Sequence, residues 1–494
     1  MRRISLALLT FIVTSSAHAQ NPTPPPPLRE FRGAWLATVR GIDFPNEPGA
    51  STEKQQKELL AIIEKAAALK LNALIFQVRS MGDAFYKSDL EPWSPWLTGV
   101  MGKAPSPAWD PLEFAIKEAH ARGIELHAWF NPFRAMNGNK YTPGGNHVSI
   151  QHPNWVSRYD ADMWMDPGIE GVREQAKAVI MDVVKRYDVD GVHIDDYFYP
   201  YPVKKKGAAG YIEFEDMKSF AAYQSGGGKL DRKAWRRDNV DGLVRDIYEG
   251  IKKLKPAVRF GISPFGLWRP GFPEGTGKGA LDPYEMIAAD SLKWLQNGWC
   301  DYLAPQLYWP IKPANLSYTS LFDWWLKQNT AHRHIWPGMA SQKILVDRQP
   351  AEILREISVT RERGQFMPPG HIHWNVTALM KNQGTLATMV KERAYQDIAL
   401  PPSASWLGAD VPLRPLVKTS GGKAEWGFED PRLEGLGVGK WWLLQVNDGE
   451  AWKSLRLYPI EIKTCDVSKD AKIIAIRVVS SSGMMSEAAV ARVR

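Results

Sequence analysis

The chain has 494 residues, 44% hydrophobic and 23% charged, a balance of globular rather than disordered or fibrous proteins. That length exceeds one ordinary core and predicts a large domain with a smaller companion. The formal charge of +8 is spread along the chain with no compact basic patch, which excludes nucleic-acid binding as a function class. Two distant cysteines, Cys300 and Cys465, exclude a disulfide framework and a Cys-ligated zinc site.

The first twenty residues, MRRISLALLTFIVTSSAHAQ, combine Arg2 and Arg3, an apolar run from Ile4 to Val13 and a small-x-small site at Ala17-His18-Ala19. This pattern predicts a signal peptide over residues 1–19 with cleavage before Gln20, hence export to the periplasm or beyond. Loss of Arg2 and Arg3 lowers the charge from +8 to +6. No cysteine stands at the cleavage site, so a lipoprotein is not expected. No other apolar run is long enough to span a bilayer, so no transmembrane segment is expected. Residues 20–29 form a proline-rich leader outside the fold.

From residue 30 to 398, short apolar runs alternate with helical periods. The predicted strands are FRGAWLATV (31–39), NALIFQV (72–78), IELHAWF (124–130), DGVHID (190–195), RFGIS (259–263), DYLAPQLYW (301–309), HIWPGM (334–339) and HIHW (371–374). Amphipathic segments at 54–70, 110–123, 171–187, 238–254 and 351–364 lie between them. Such alternation predicts an α/β fold, a (β/α)8 TIM barrel. No glycine-rich dinucleotide fingerprint follows the first strand, which disfavours an open doubly wound sheet. Residues 399–415 read as a linker. Alternating segments within 416–494 predict a small C-terminal β-sandwich of immunoglobulin or fibronectin type.

Barrel chemistry gathers where strands run into the following loops. The first three strands lead to Arg40 and Asp43, to Arg79 and Asp83, and to Asn131 and Arg134, with Trp129 just before. The fourth ends in Asp195, Asp196, Tyr197 and Tyr199. The fifth and sixth supply Ser263, Trp268 and Arg269, then Gln306, Tyr308 and Trp309. The last two supply Gln342, Lys343, Trp374 and Asn375. Aromatic faces stack on sugar rings, amides and guanidinium groups bind hydroxyl and acetamido oxygens, and paired carboxylates serve glycoside hydrolysis. The alternative for the adjacent aspartates is structural, as a helix cap or an arginine partner. Histidines are too few at ligand spacing for a metal site, and no cofactor is expected.

FRGAWLATVRGIDFP, QVRSMGDAFYKSDLEPWSPWLTG, AHARGIELHAWFNPFR, DVDGVHIDDYFYP, WRRDNV, FGISPFGLWRPG and DYLAPQLYW occur in this order. Together, over residues 29 to 395, they resemble the glycoside hydrolase-like family 10 proteins of the bacterial envelope. The resemblance implies a (β/α)8 barrel and an envelope glycosidase. A relative in that family cleaves peptidoglycan glycan strands that have lost their stem peptides, which implies that substrate class here. DGVHIDDYFYP also looks like the strand-four motif of family 18 chitinases, with Asp195 on its last aspartate and Tyr197 in the place of the acid. Its likeness to an α-amylase-type strand likewise selects Asp195.

The reading is an exported glycosidase of an N-acetylhexosamine polymer, with Asp195 as nucleophile or transition-state stabiliser and Asp196 as general acid. Asp83 and Asp43 are the alternative acids if the strand does not turn after Asp195. Arg79, Asp83, Trp129, Asn131, Arg134, Tyr197, Tyr199, Trp268, Arg269, Gln306, Tyr308 and Trp309 are the candidate substrate-binding residues. Two other expectations compete: a barrel that binds glycan without cutting it, and a glycosidase of an exopolysaccharide or α-glucan.

Overall fold

The computed structural model describes residues 23–138, 140–312, 315–365, 367–430, 432–433 and 439–493. The expected signal peptide lies outside them. The parallel sheet is built from β1 (Phe31–Leu36), β2 (Ala73–Arg79), β3 (Glu125–Phe130), β4 (Gly191–Ile194), β5 (Arg259–Ile262) and β6 (Tyr302–Leu303). It is completed by β7, in two pieces (His334–Ile335 and Gly338–Met339), and β8 (Gly370–His373). The order runs from the first piece of β7 through β6, β5, β4, β3, β2, β1 and β8 to the second piece of β7.

The two ends of this order therefore meet in one six-residue run. His334 pairs with Tyr302 of β6, and Gly338 pairs with Ile372 of β8. The Trp336 N–H donates to the Leu303 carbonyl at 2.9 Å, and the Ile372 N–H donates to the Pro337 carbonyl at 3.0 Å. Hydrogen bonding thus crosses the interruption at Pro337, a residue with no N–H of its own. The result is a TIM-barrel-like, all-parallel sheet.

The main helices are α1 (Thr52–Ala68), α2 (Pro111–His120), α3 (Glu170–Arg186), α4 (Arg232–Leu254), α5 (Ser291–Gln296), α6 (Tyr318–Gln328), α7 (Pro350–Glu362) and α8 (Val376–Met380). Their starts carry the expected chemistry. Ser51, Asp110, Asp231 and Ser317 each accept a backbone N–H from the first turn, and Pro111 opens α2. Each helix buries one apolar stripe, as Leu59, Ile62, Ile63 and Ala66 do on α1. The strands are buried on both faces, as a helix-covered parallel sheet requires.

Two apolar layers follow from this. One lies between strands and helices; the other fills the barrel, where Phe31 stacks on Trp336 with ring centroids 3.8 Å apart. Aromatic rings fit there because glycines face them. A Cβ on Gly191 would lie 2.6 Å from the His127 ring, and one on Gly261 would lie 1.9 Å from Tyr302 Cζ.

Several expectations differ in detail. The sixth strand, expected over 301–309, is only Tyr302–Leu303, because Pro305 has no N–H to continue it. A three-stranded antiparallel sheet of Arg134–Met136, Val156–Tyr159 and Asp162–Met165 follows β3 and had no forecast. The described part of the leader is held, not free: the carbonyls of Pro24 and Pro25 accept from Arg477 and Gln445.

Beyond residue 415, two antiparallel sheets share a core that includes Trp426, Trp442, Ile474 and Ile476. This unit and the segment before it meet the barrel at the start of the strands. Lys440 of the unit pairs with Asp190, and in the preceding segment the Pro402 carbonyl accepts from Arg259 and the Trp406 indole donates to Asp301. The strand C-termini are left open at the opposite end. No helix among the described residues is long and apolar enough to cross a membrane.

Gly261→Ala forces its methyl into the Tyr302 ring, so it should destabilise the barrel by about 1–3 kcal/mol or more. An unchanged denaturant midpoint would contradict the packing described for the barrel interior.

Candidate active site

Gly191 and His193 point into the barrel, and Asp195 occupies the next inward position after β4 ends at Ile194. The chain turns at once. Asp195 and Asp196 therefore both line one cavity of about 380 Å³ at the open end of the barrel. This satisfies the geometric condition on which the pairing of these two carboxylates depends.

The Asp195 carboxylate is held by groups that can only donate. Trp129 Nε1 donates to Oδ2 at 3.1 Å, and Asn131 Nδ2 lies 3.3 Å from both oxygens. The orientation of the Asn131 amide is fixed, because its Oδ1 accepts the backbone N–H groups of Phe133 and Arg134 at 3.3 and 2.9 Å. Asp196 Oδ2 accepts a short hydrogen bond from the Tyr201 hydroxyl, and the Gln306 side chain also bonds this carboxyl. Arg134 is the cation facing both, with its guanidinium 4.3 Å from the centroid of the Tyr197 ring.

The electrostatics follow from burial. Loss of water raises the Asp195 carboxyl to about 7; Arg134 opposes this and the charge of Asp196 adds to it. Loss of water raises Asp196 to about 6 against the hydrogen bonds from Tyr201 and Gln306. Two buried carboxyls facing one guanidinium favour a single proton on the pair near neutral pH. Such a pair has an acid and a base within one cavity.

The cavity wall is aromatic. Trp374 lies 6.0 Å from Trp35 and 6.1 Å from Trp129, edge to face, and stacks against Tyr308 at 6.4 Å. Gln77, Ser263, Gln306 and Gln342 add hydrogen-bonding groups, and Arg40, Asn137 and Asp162 form part of the rim.

Residues 30–352 match the family described as Glycosyl hydrolase-like 10. The chain belongs to that family. It is 37% identical over 428 residues to the glycosyl hydrolase YngK of Bacillus subtilis (strain 168), covering 83% of this chain and 80% of YngK. It is 34% identical over 353 residues to the glycosyl hydrolase DigH of Escherichia coli (strain K12), covering 65% of this chain and 77% of DigH. Among solved structures, the catalytic domain of β-amylase from Paenibacillus polymyxa superposes with a TM-score of 0.51. That match has 10% identity and covers 76% of this chain and 100% of the other. It bears on the fold alone, which it shares with a TIM-barrel-like glycoside hydrolase.

Of the candidate substrate-binding residues in this family member, Trp129, Arg134, Tyr197, Gln306 and Tyr308 line the cavity, and Asn131 braces Asp195 from behind. The others lie elsewhere. Arg79 is buried against Glu91, at 2.7 Å through Nε. Asp83 accepts the backbone N–H groups of Ser80 and Met81. Tyr199 packs edge-on against Phe214 beneath Arg236. Trp268 stacks on Trp324 and bonds Asp290, while Arg269 pairs with Asp282 and Glu285. Trp309 meets Phe265 edge-on. Asp43, the other alternative acid, accepts the N–H groups of Ala37 and Thr377.

Trp35, Gln77, Asn137, Asp162 and Tyr201 were not among the candidates. Trp35 and Gln77 lie within strands, and their inward period-two positions were the available signal. Asn137 and Asp162 belong to the inserted antiparallel segment and carry no such mark.

The burial of the pair has a consequence for stability. Both carboxyls bind their protons more tightly in the folded chain, so stability falls as pH rises from the ordinary value of 3.8 through about 7. Asp195→Asn removes one of these groups, so its unfolding free energy should fall less over that window than that of the unaltered protein. Parallel pH profiles would contradict the burial of an ionisable Asp195.

Proposed function

We propose that this protein is an exported glycoside hydrolase acting on an N-acetylhexosamine-containing envelope polysaccharide, namely peptidoglycan glycan strands stripped of their stem peptides. The reading takes the parallel sheet as a (β/α)8 barrel and the C-terminal unit as an immunoglobulin-like sandwich. The observation that carries it is the buried Asp195–Asp196 pair in an aromatic cavity at the strand C-termini. Family membership and two relatives named glycosyl hydrolases support the reaction class. The substrate rests on the family resemblance, and export rests on the signal-like N-terminus.

In this reading one carboxyl protonates the leaving glycosidic oxygen while the other, ionised, stabilises or attacks the oxocarbenium-like sugar. The sequence pattern favours Asp196 as the acid. Burial raises both carboxyls, Asp195 to about 7 and Asp196 to about 6, and both are held by donors, so between those values the pair carries one proton that either member can deliver. Trp35, Trp129, Tyr308 and Trp374 would hold the sugar rings.

Purified protein should release reducing ends from amidase-treated peptidoglycan. Asp195→Asn and Asp196→Asn should each lose at least about 10²-fold in kcat. Full activity in both variants would reject the site. An aryl glycoside whose leaving group needs no proton separates the roles, because the acid variant should retain far more activity on it than the other. Rate against pH should peak between about 6 and about 7, falling below as the base protonates and above as the acid ionises.

Glycan binding without cleavage is the second reading, favoured by Tyr197 in the place of the chitinase-like acid. Binding of denuded strands with no reducing ends released would support it. Product analysis over an exopolysaccharide and α-glucan panel tests the remaining substrate classes.

A further inference from the structure

Beneath the cavity floor, a file of buried polar side chains runs down the barrel axis. Trp35 Nε1 lies 3.2 Å from His193 Nε2, and Ser263 Oγ lies 2.9 Å from the same nitrogen. His193 Nδ1 is 3.0 Å from the Tyr302 hydroxyl, which is 2.9 Å from His127 Nδ1. His127 Nε2 is 3.2 Å from Glu125 Oε2, and Arg259 holds the other oxygen at 2.7 Å. Gly191 and Gly261 leave the space that the His127 and Tyr302 rings fill. No step assigned to the aspartate pair uses this file.

Its hydrogens can be placed from both ends. Burial keeps His193 neutral, so its ring carries one N–H. An indole N–H can only donate, so His193 Nε2 must accept and the proton sits on Nδ1. Nδ1 then donates to the Tyr302 oxygen, and the Tyr302 hydroxyl donates to His127 Nδ1. From the other end, although burial opposes it, Arg259 holds Glu125 ionised and hence able only to accept. His127 Nε2 must therefore donate to Glu125, and a bare Nδ1 then receives Tyr302. The two ends fit one direction along the whole file.

This direction reaches the cavity through Ser263. A bare His193 Nε2 has one lone pair, which the Trp35 N–H at 3.2 Å and the Ser263 hydroxyl at 2.9 Å share as a three-centre bond; with the Ser263 proton on the shorter branch, the lone pairs of Oγ are what Ser263 offers to the cavity that it lines. We propose that Ser263 is a specificity-determining acceptor in the cavity floor, polarised by the Trp35–His193–Tyr302–His127–Glu125 file to bind a sugar hydroxyl or acetamido N–H. His193 is then a positioning residue that acts through Ser263. The proposal rests on the glycosidase reading for its ligand but not for its polarity. A sugar group that can only accept, such as an acetamido carbonyl, finds no donor at Ser263.

Two measurements test it. Nitrogen NMR of 15N-histidine-labelled protein should show His193 with Nδ1 protonated and Nε2 bare. Ser263→Ala should raise KM for amidase-treated glycan strands about two- to tenfold with kcat little changed, the loss of one uniform hydrogen bond. A protonated Nε2, or a KM unaltered in Ser263→Ala, would overturn the proposal. If the unaltered protein hydrolyses nothing, the glycosidase reading falls. The inference then stands or falls on the tautomer and on calorimetric affinity of both proteins for the same strands, where equal affinities overturn it.

Discussion

Two adjacent carboxylates taken out of water at the end of a strand, with one guanidinium acting on both, constrain everything around them. Each negative charge costs several kcal/mol to bury unless donors or a proton answer it. Trp129 and Asn131 therefore point their N–H groups at Asp195, and Tyr201 turns its hydroxyl and Gln306 its side chain to Asp196. Arg134 can face both because the inserted antiparallel segment begins at that residue and packs it against Tyr197 and Trp164. What remains unanswered is one charge, and one proton settles it. The same balance that permits burial makes the pair an acid and a base, which links the energetics of the fold to the chemistry proposed for the site.

The barrel spreads these demands along its axis. The open end collects aromatic walls and the aspartate pair. The interior holds a hydrogen-bonded file that ends in the Glu125–Arg259 ion pair, and below it Lys440 meets Asp190. The C-terminal unit covers the end where the strands begin, so it shields buried charges without approaching the cavity. The interior aromatic rings pack closely against the facing glycines, Gly191 and Gly261.

The strands that end in apolar β-branched or aromatic runs were legible in the sequence, and so were the helices with capping residues at their starts. Strand six shrank at Pro305 and strand seven broke at Pro337, because an imide nitrogen cannot donate to a ladder. The short strands within 134–165 carry too little alternation to stand out from a loop. At the site, reading just past each strand found Asp195, Asp196, Arg134, Gln306 and Tyr308, because a barrel carries its chemistry there. The same rule selected Arg79 and Arg269. Their carboxylate partners, Glu91, Asp282 and Glu285, follow within 16 residues in each case and occupy them structurally. It passed over Trp35 and Gln77, which reach the cavity from within their strands.

The most direct test of the account is a carbon NMR titration of the aspartate carboxyls in uniformly labelled protein, with Asp195→Asn and Asp196→Asn for assignment. The account predicts that the pair loses its first proton near pH 6 and its last near pH 7, while exposed aspartates lose theirs near the ordinary value of 3.8. Full ionisation of both Asp195 and Asp196 by pH 5 would contradict it, since a pair without a proton has no acid to offer a glycosidic oxygen.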